Sequence, residues 1–359
     1  MEPIRIGIIG CGGIANGKHM PALSRQPLAK MVAFCDIVRE RAEKAAKEYG
    51  TPDAKVYTDY KKLLKDPGIE VIHVLTPNRA HSFITVDALE AGKHVMCEKP
   101  MAINPEEAQK MLDAARRTGK LLTIGYQNRY RPDSLFMKEE AEKGTFGDIY
   151  FARATAIRRR AVPTWGVFLD AYQQGGGPLI DIGTHALDLT LWMMNNYEPK
   201  YCVGTAYHAH NKDTRTGNAW GDWDPAKFTV EDSAFGFIVM KNGATIILES
   251  SWALNRLDVG EAITQICGTE AGGDMLDGLR INGVRNGLQY VLKPDTQAGG
   301  VAFFDGKKRK AEDVEAETWL NAVRGKGKLV VLPEQAIVVT KILDGIYQSA
   351  KSGEPYYFG

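Results

Sequence analysis

The turn after the first apolar segment constrains the fold more than any other part of this sequence. Residues 4–9, IRIGII, form a short apolar run suited to a central parallel strand. The segment Gly10-Cys-Gly-Gly-Ile-Ala15 follows and has the form GxGxxA. Because a strand precedes it and a helical segment follows, we expect a dinucleotide site rather than a plain glycine turn. Main-chain N–H groups at the new helix would hold the phosphates, with contacts expected at Gly10, Gly12, Gly13 and Ile14.

An acidic residue at the end of the second apolar strand indicates which dinucleotide is bound. The strand predicted at 31–35 ends at Asp36, about 20 residues beyond the turn, the spacing of a ribose-binding acid. A carboxylate there accepts hydrogen bonds from both ribose hydroxyls and repels a 2′-phosphate. Arg39 and Arg41 lie nearby and could weaken that preference. The sequence therefore predicts NAD as the cofactor.

Strands and helices alternate regularly through the first third of the chain. Helices are expected at 39–49, 60–64, 79–91 and 105–118, and further strands at 71–75, 94–97 and 120–124. This alternation predicts an α/β fold with a doubly wound parallel sheet, a Rossmann domain at 1–125. Beyond it, β-branched runs separated by Gly/Asn turns predict an α+β domain at 126–359 with a large, mostly antiparallel open sheet.

Composition excludes several classes of function. The 359 residues suffice for two domains, and a net charge of +1 provides no strong field for nucleic acid or an anionic membrane. The five cysteines form no CxxC pair and read as reduced, and the N-terminus enters a strand at once, so we expect a cytoplasmic protein. His208 and His210 have Asp213 nearby but no fourth ligand, so no metal is expected.

A charged pair and a proline follow another short apolar strand. Residues 94–97 run directly into Glu98-Lys99-Pro100. In an open α/β sheet, ligands bind at the carboxyl ends of the strands. Pro100 biases the residue before it toward an extended backbone, so the ammonium of Lys99 would leave the strand end in a defined direction. The alternative is an ordinary strand-end turn with a solvated lysine.

A second candidate constellation lies near the middle of the chain. Asp181 and His185 are four residues apart in a segment, 179–195, that is expected to be helical, so they would share one face. An aspartate beside an imidazole fixes its orientation, and imidazole is suited to moving a hydroxyl proton. Lys99 could stabilise a developing alkoxide. The alternative is a helix N-cap aspartate with a core histidine.

Together these motifs resemble the Gfo/Idh/MocA family of oxidoreductases, named for glucose–fructose oxidoreductase and inositol dehydrogenase. The resemblance spans the whole chain and rests on the GxGxxA turn, Asp36, Thr76-Pro-Asn78 with His81, Glu98-Lys99-Pro100, and Gly175-Gly-Gly before Asp181 and His185. It implies an NAD-dependent enzyme acting on CH–OH groups, with Lys99, Asp181 and His185 as catalytic residues and His185 as the acid–base. It implies further cofactor contacts from Thr76, Pro77, Asn78, His81, Glu98, Lys99 and Asn128.

The segment between Arg158 and the glycine triplet carries a more specific resemblance. It is similar to bacterial enzymes that oxidise the 3-hydroxyl of glucosides, including gut bacterial C-glucoside 3-oxidases that recycle bound NAD with 3-oxo-glucose. Trp165 offers a flat face for a pyranose or an aglycone ring. On a strand, Arg158 and Arg160 would share one face, although a solvated strand end is the alternative. The expected substrate contacts are Lys99, Gln127, Arg158, Arg160, Trp165, Asp181 and His185.

The expected partner is therefore a small sugar or glycoside, with no nucleic acid or membrane. Three other functions stay open: an inositol or free-sugar dehydrogenase, an NAD-dependent glycosidase acting by elimination, and a non-catalytic NAD-binding sensor. The sheet of the second domain carries apolar residues on both faces, as in the run Phe235–Met240. Since helices cover only one face, we expect a homo-oligomer, a dimer or tetramer, with the other face as the contact surface.

Overall fold

The chain is described by a computed structural model for residues 2–295 and 309–359, and in that part six strands form a fully parallel sheet. The strands are β1 (Ile4–Ile9), β2 (Ala29–Cys35), β3 (Lys55–Tyr57), β4 (Val71–Val74), β5 (His94–Cys97) and β6 (Leu122–Ile124). They lie in the order β3-β2-β1-β4-β5-β6, so the direction of winding reverses between β1 and β4. An open sheet binds ligands at such a point. The predicted Rossmann sheet is confirmed.

The helices of this region begin close to the predicted positions. They are α1 (Met20–Ser24), α2 (Arg39–Tyr49), α3 (Tyr60–Leu64), α4 (His81–Glu90) and α5 (Pro105–Thr118). A π-helical turn, Ala15–His19, precedes α1. Helix α5 shows why such starts are predictable: Asn104 Oδ1 accepts the N–H of Glu107 at 2.8 Å, and proline occupies the first helical position.

A second sheet of nine strands follows among the described residues. Its strands are β7 (Ile149–Ile157), β8 (Pro199–Tyr207), β9 (Ser233–Met240), β10 (Thr245–Ser251), β11 (Gly260–Gly268), β12 (Ala271–Asp274), β13 (Arg280–Arg285), β14 (Leu288–Leu292) and β15 (Tyr356–Tyr357). Only the pairing of β10 with β7 is parallel in this set. The predicted, mostly antiparallel sheet is therefore confirmed.

Helices cover one face of this second sheet. The remaining helices of the described residues are α6 (Pro132–Glu142), α7 (Ala171–Gln174), α8 (Thr184–Met194), α9 (Ala311–Val323) and α10 (Pro333–Ser352). Helix α8 packs on β7 and β11. A Cβ at Gly204 or Gly236 would lie 2.7 or 2.5 Å from atoms of Ile346, so the absence of side chains there lets α10 approach β8 and β9.

Compact packing divides the chain differently from the expected boundary between residues 125 and 126. The first unit comprises Met1–Tyr130 and Arg309–Ile337, and the second comprises Arg131–Lys308 and Val338–Gly359. Helix α9 joins the first unit because Trp319 and Leu320 are buried in its core cluster together with strand β1. Within the described ranges, no helix combines the length and apolar character needed to cross a bilayer.

Candidate active site

The glycine-rich turn has the geometry that a bound dinucleotide requires. Gly10 has φ of 92°, and a Cβ there would lie 2.6 Å from the carbonyl oxygen of Leu75, so only glycine fits. A Cβ at Gly12 or Gly13 would meet no atom within 4 Å. The main chain is therefore open on the side where a pyrophosphate would approach, and the first turn of a helix leaves N–H groups to bind it. These residues fit NAD.

Asp36 follows β2 and is tied to the same turn. Its Oδ2 accepts the N–H of Cys11 at 2.9 Å and its Oδ1 accepts the N–H of Val38 at 2.9 Å. The residue is 8% exposed. Since each carboxylate oxygen has a second lone pair, both can still accept a ribose hydroxyl. The position predicted for the ribose-binding acid therefore also braces the glycine-rich turn.

His81 links the ends of two neighbouring strands. Its Nε2 lies 2.8 Å from the carbonyl oxygen of Thr76, after β4, and its Nδ1 lies 2.8 Å from that of Pro100, after β5. Burial lowers the pKa of His81, although its contacts with these two carbonyls oppose that shift. The ring is 1% exposed and thus lies behind the Thr76–Asn78 turn, as a brace between the two strand ends. The peptide bond between Lys99 and Pro100 is cis.

The carboxylate of Glu98 faces the interior of the first unit. Its Oε1 lies 2.9 Å from Lys18 Nζ and 2.7 Å from His19 Nε2, and its Oε2 accepts the main-chain N–H of Lys99 at 2.9 Å. Burial alone would raise the pKa of Glu98, but Lys18, His19 and Lys99 hold it well below its ordinary value. Glu98, which was expected among the cofactor contacts, is therefore an ionised carboxylate that holds the main chain of Lys99 in place.

Lys18 is the central residue of this cluster, and sequence reasoning missed it together with His19 and Glu315. Its ammonium has three N–H donors, and three acceptors surround it: Glu98 Oε1 at 2.9 Å, Glu315 Oε2 at 2.9 Å and Gln127 Oε1 at 3.0 Å. Burial disfavours the charge, yet the two carboxylates raise the pKa of Lys18 above its ordinary value. Since Gln127 presents its oxygen to Lys18, its amide nitrogen is left to donate elsewhere.

The helix that carries Asp181 and His185 starts on a buried carboxylate. Glu231 Oε2 accepts the N–H of Gly177 at 2.8 Å, and its Oε1 accepts the N–H of Leu179 at 3.2 Å and the hydroxyl of Tyr347 at 2.8 Å. Burial raises the pKa of Glu231. A negative group at a helix start is favourable, so Glu231 fixes the position from which the helix begins.

The expected continuous helix at 179–195 is interrupted at its start. Leu179–Gly183 is a π-helical turn, and α8 begins only at Thr184. The simple four-residue spacing of an α-helix therefore does not describe the pair Asp181 and His185, which lies across this junction. Asp181 is half-buried, and its Oδ2 accepts the indole N–H of Trp252 at 3.1 Å. His185 is 9% exposed. Turns of this kind are frequent at functional sites.

Arg158 lies beside Asp181 but not on a strand. The placement of Arg158 and Arg160 on a strand was wrong, because β7 ends at Ile157. Arg158 donates from Nε and Nη2 to the two carboxylate oxygens of Glu261 at 2.6 and 2.9 Å, and its Nη1 lies 4.0 Å from Asp181 Oδ2. The guanidinium is thereby fixed next to the predicted catalytic carboxylate.

Arg160 and Trp165 take different positions. Arg160 Nη1 lies 3.5 Å from Asp213 Oδ2, which also lies 2.9 Å from His210 Nδ1. Trp165 is exposed and packs against Trp220, with ring centroids 5.0 Å apart. Among the residues that the structure describes, no three His, Cys, Asp or Glu side chains are grouped so as to hold a metal ion; the expectation of no metal stays a prediction.

Comparison with known proteins decides the family. A family profile described as an oxidoreductase family with an NAD-binding Rossmann fold matches residues 4–126, and a Gfo/Idh/MocA C-terminal domain profile matches residues 135–272. The sequence is 36% identical over 352 residues to D-glucoside 3-dehydrogenase of Escherichia coli, covering 98% of this chain and 97% of that one. The chain belongs to the Gfo/Idh/MocA oxidoreductase family. The predicted family, enzyme class and cofactor, NAD, are thereby confirmed.

A second named sugar dehydrogenase is similar to this chain both in sequence and in structure. Levoglucosan dehydrogenase of Pseudarthrobacter phenanthrenivorans is 27% identical over 269 residues, which cover 70% of this chain and 68% of that one. A solved structure of levoglucosan dehydrogenase with NADH and levoglucosan superimposes with a TM-score of 0.81 at 22% identity and covers 99% of each chain. At that identity the superposition supports the shared fold.

Proposed function

We propose that this protein is an NAD-dependent dehydrogenase that oxidises the 3-hydroxyl of a glucoside. The observation that carries the proposal is the 36% identity, over nearly the full length of both chains, to an enzyme named D-glucoside 3-dehydrogenase. The three candidate catalytic residues, Lys99, Asp181 and His185, are consistent with this proposal. Each is a side-chain type that alcohol oxidation uses.

The cofactor contacts are proposed from the strand ends of the first unit. The turn from Gly10 to Ile14 would bind the pyrophosphate, Asp36 the ribose, and the Thr76–Asn78 turn with Asn128 the remainder. His81 would act through the carbonyls of Thr76 and Pro100 to which its ring is joined. Bound NAD would accept the hydride that leaves the sugar carbon.

The proposed reaction needs one group to accept a proton and another to stabilise a negative charge. His185 would take the proton of the 3-hydroxyl, and Asp181 would orient its imidazole. Lys99 would stabilise the negative charge that develops on the oxygen as the ketone forms. Gln127 would bind the sugar through its amide nitrogen, because Lys18 occupies its oxygen. Trp165, Arg158 and Arg160 are the further substrate contacts that we propose.

Product analysis tests the function directly. Purified protein is incubated with NAD and methyl β-D-glucoside, and the oxidised carbon is located by NMR, with myo-inositol and glucose in parallel. A 3-oxo-glucoside supports the proposal. Oxidation of inositol or glucose alone would show instead that the protein is an inositol or free-sugar dehydrogenase. Release of methanol would show that it is a glycosidase acting by elimination. If the sugar is oxidised only when 3-oxo-glucose is added to protein carrying co-purified cofactor, NAD is recycled in place.

We also propose that the protein is a cytoplasmic homo-oligomer. All five cysteines are free thiols, as in proteins of a reducing compartment. The helix-free face of the second sheet carries Val203 and Phe237 opposite each other, and both are exposed. Ile247 pairs with Phe237 and extends this apolar row into β10. A second copy of the chain would cover the row.

A further inference from the structure

Two exposed tryptophans form a corner on the surface of the second unit. Trp165 and Trp220, named here the tryptophan corner, have ring centroids 5.0 Å apart and ring planes at 73°. They are 52% and 43% exposed. Both rings are partly open to solvent although Phe168 packs on Trp165 and Arg158 lies over Trp220, whereas aromatic side chains are normally among the most buried in a protein.

The loops that carry the corner are fixed to one another by hydrogen bonds. Asn218 accepts the N–H of Val162 at 2.8 Å and donates to its carbonyl oxygen at 2.9 Å. Thr164 donates its hydroxyl to the carbonyl oxygen of Trp220 at 2.7 Å. Three residues after Trp220, Trp223 is 5% exposed and packs on Phe228. The corner is therefore exposed yet held in place, which is the condition for a preorganised binding surface.

One side chain connects the corner to the predicted catalytic carboxylate. The guanidinium of Arg158 lies 5.0 Å from the centre of the Trp220 ring, and its Nη1 lies 4.0 Å from Asp181 Oδ2. Glu261 holds this guanidinium through both of its oxygens. The corner thus lies one side chain away from Asp181, close enough for a substituent of a sugar bound beside Asp181 and His185 to reach it.

We propose that the tryptophan corner is a binding site for an aromatic aglycone of the glucoside substrate. Two rings at a steep angle suit a flat third ring, which can stack on one of them while it meets the other edge to face. The C–H face of a pyranose can also stack on an indole, but the sugar that is oxidised has to lie at the catalytic residues, which leaves the corner to its substituent. The inference rests on the proposed function, since it assigns the part of the substrate beyond the oxidised sugar.

Paired binding measurements test the corner separately from the function. Calorimetry of phenyl β-D-glucoside and methyl β-D-glucoside, each added to protein saturated with NADH, gives a ratio of dissociation constants without turnover. We expect the phenyl compound to bind about tenfold more tightly to the wild type. Trp220→Ala and Trp165→Ala should reduce the ratio to within about twofold of unity, and Trp220→Phe should keep part of it. Tyr150→Ala, which removes an exposed aromatic ring elsewhere in the unit, should leave it unchanged.

The outcomes separate the two proposals. Equal affinity for both glucosides in the wild type, or an unchanged ratio in both alanine variants, would overturn the aglycone site even if both compounds are oxidised at C3. Absence of oxidation with the expected binding ratio would instead overturn the proposed dehydrogenase. A change of molar mass in Trp220→Ala, without a change in the ratio, would mean that a second copy of the chain covers the corner, and would also refute the aglycone site.

Discussion

The ammonium of Lys18 lies 2.9 Å from Oε1 of Glu98, and both side chains are buried. This ion pair joins the helical turn after the glycine-rich loop to the segment that carries Lys99. Glu315, from α9, adds a second carboxylate, with Oε2 2.9 Å from the same ammonium. Three parts of the first unit that are distant in sequence therefore share one buried charge cluster.

Replacing Lys18 should destabilise the fold strongly. Lys18→Met leaves two buried carboxylates without their cation, which typically costs about 3–5 kcal/mol. Lys55→Met is the matched control, because Lys55 also lies 2.9 Å from a carboxylate, that of Asp66, but is exposed. Urea denaturation of both variants checks this. A loss for Lys18→Met no larger than that for Lys55→Met would contradict the role assigned to the cluster.

Acid should destabilise the protein through His73, whose ring nitrogens have no hydrogen-bond partner in the described structure. Burial, together with the nearby His19 and Lys18, lowers the pKa of His73 well below its ordinary value, although Glu98 opposes this. Below about pH 6.5 the unfolded chain binds a proton that the folded chain does not, so stability falls by about 1.4 kcal/mol per pH unit.

His73→Phe should reduce this dependence between pH 6.5 and 5 and leave the part due to His81 and His94, whose pKa values burial also lowers. The control is His208→Phe, at an exposed position. Glu98 does not interfere in this window, because its pKa is held well below the ordinary value and its stabilising ionisation is lost only in stronger acid. Melting temperatures across the range give the slopes. If the melting temperature of His73→Phe falls with pH as steeply as that of the wild type, another group causes the acid sensitivity.

Asp36→Asn should weaken NAD binding about tenfold, since a charged acceptor for the ribose hydroxyls is lost. Binding of NADP should weaken less, because the repulsion of its 2′-phosphate is also lost. Asp59→Asn is the control: Asp59 likewise accepts a main-chain N–H, at the start of α3, but lies outside the proposed site. Calorimetric titration with both cofactors measures the change, and tighter binding of NADP than NAD to the wild type would refute the assignment.

Val203→Glu should dissociate the proposed oligomer, because it places a charge in the apolar row on the helix-free face of the second sheet. Leu135→Glu changes a leucine of equal exposure, 40%, on α6. Light scattering at micromolar concentration should give a smaller mass for Val203→Glu than for Leu135→Glu and the wild type. A monomeric wild type would refute the oligomer altogether.

Local patterns predicted most of the first sheet well, because five of its six strands are largely buried apolar runs followed by a clear helix or turn signal. They missed β3, with only three residues, and the hairpin of β13 and β14, whose side chains are largely exposed. Helix α9 was also missed as part of the first unit. No local rule shows that residues after position 308 return to the N-terminal core.

The candidate site was predictable where one segment carries a motif and unpredictable where distant segments meet. The GxGxxA turn and Asp36 have local signatures. Lys18 and Glu315 are separated by most of the chain, and a lysine beside a histidine in a short helix gives no sign of burial. The π-helical turn at Asp181 was missed for another reason: its sequence is compatible with an ordinary helix, and the buried Glu231 beneath it is far away in the chain.

The rate of a single turnover in Lys99→Ala and His185→Ala, each saturated with NAD and methyl β-D-glucoside, tests the central claim most directly. If His185 takes the hydroxyl proton and Lys99 stabilises the developing charge, both variants should be slower than the wild type by about 10²-fold or more. Their affinity for NAD and melting temperature should change little, and Asp181→Asn should lose as much rate or less. Folded variants that bind NAD and turn over within a few-fold of the wild type would contradict the assignment of these residues.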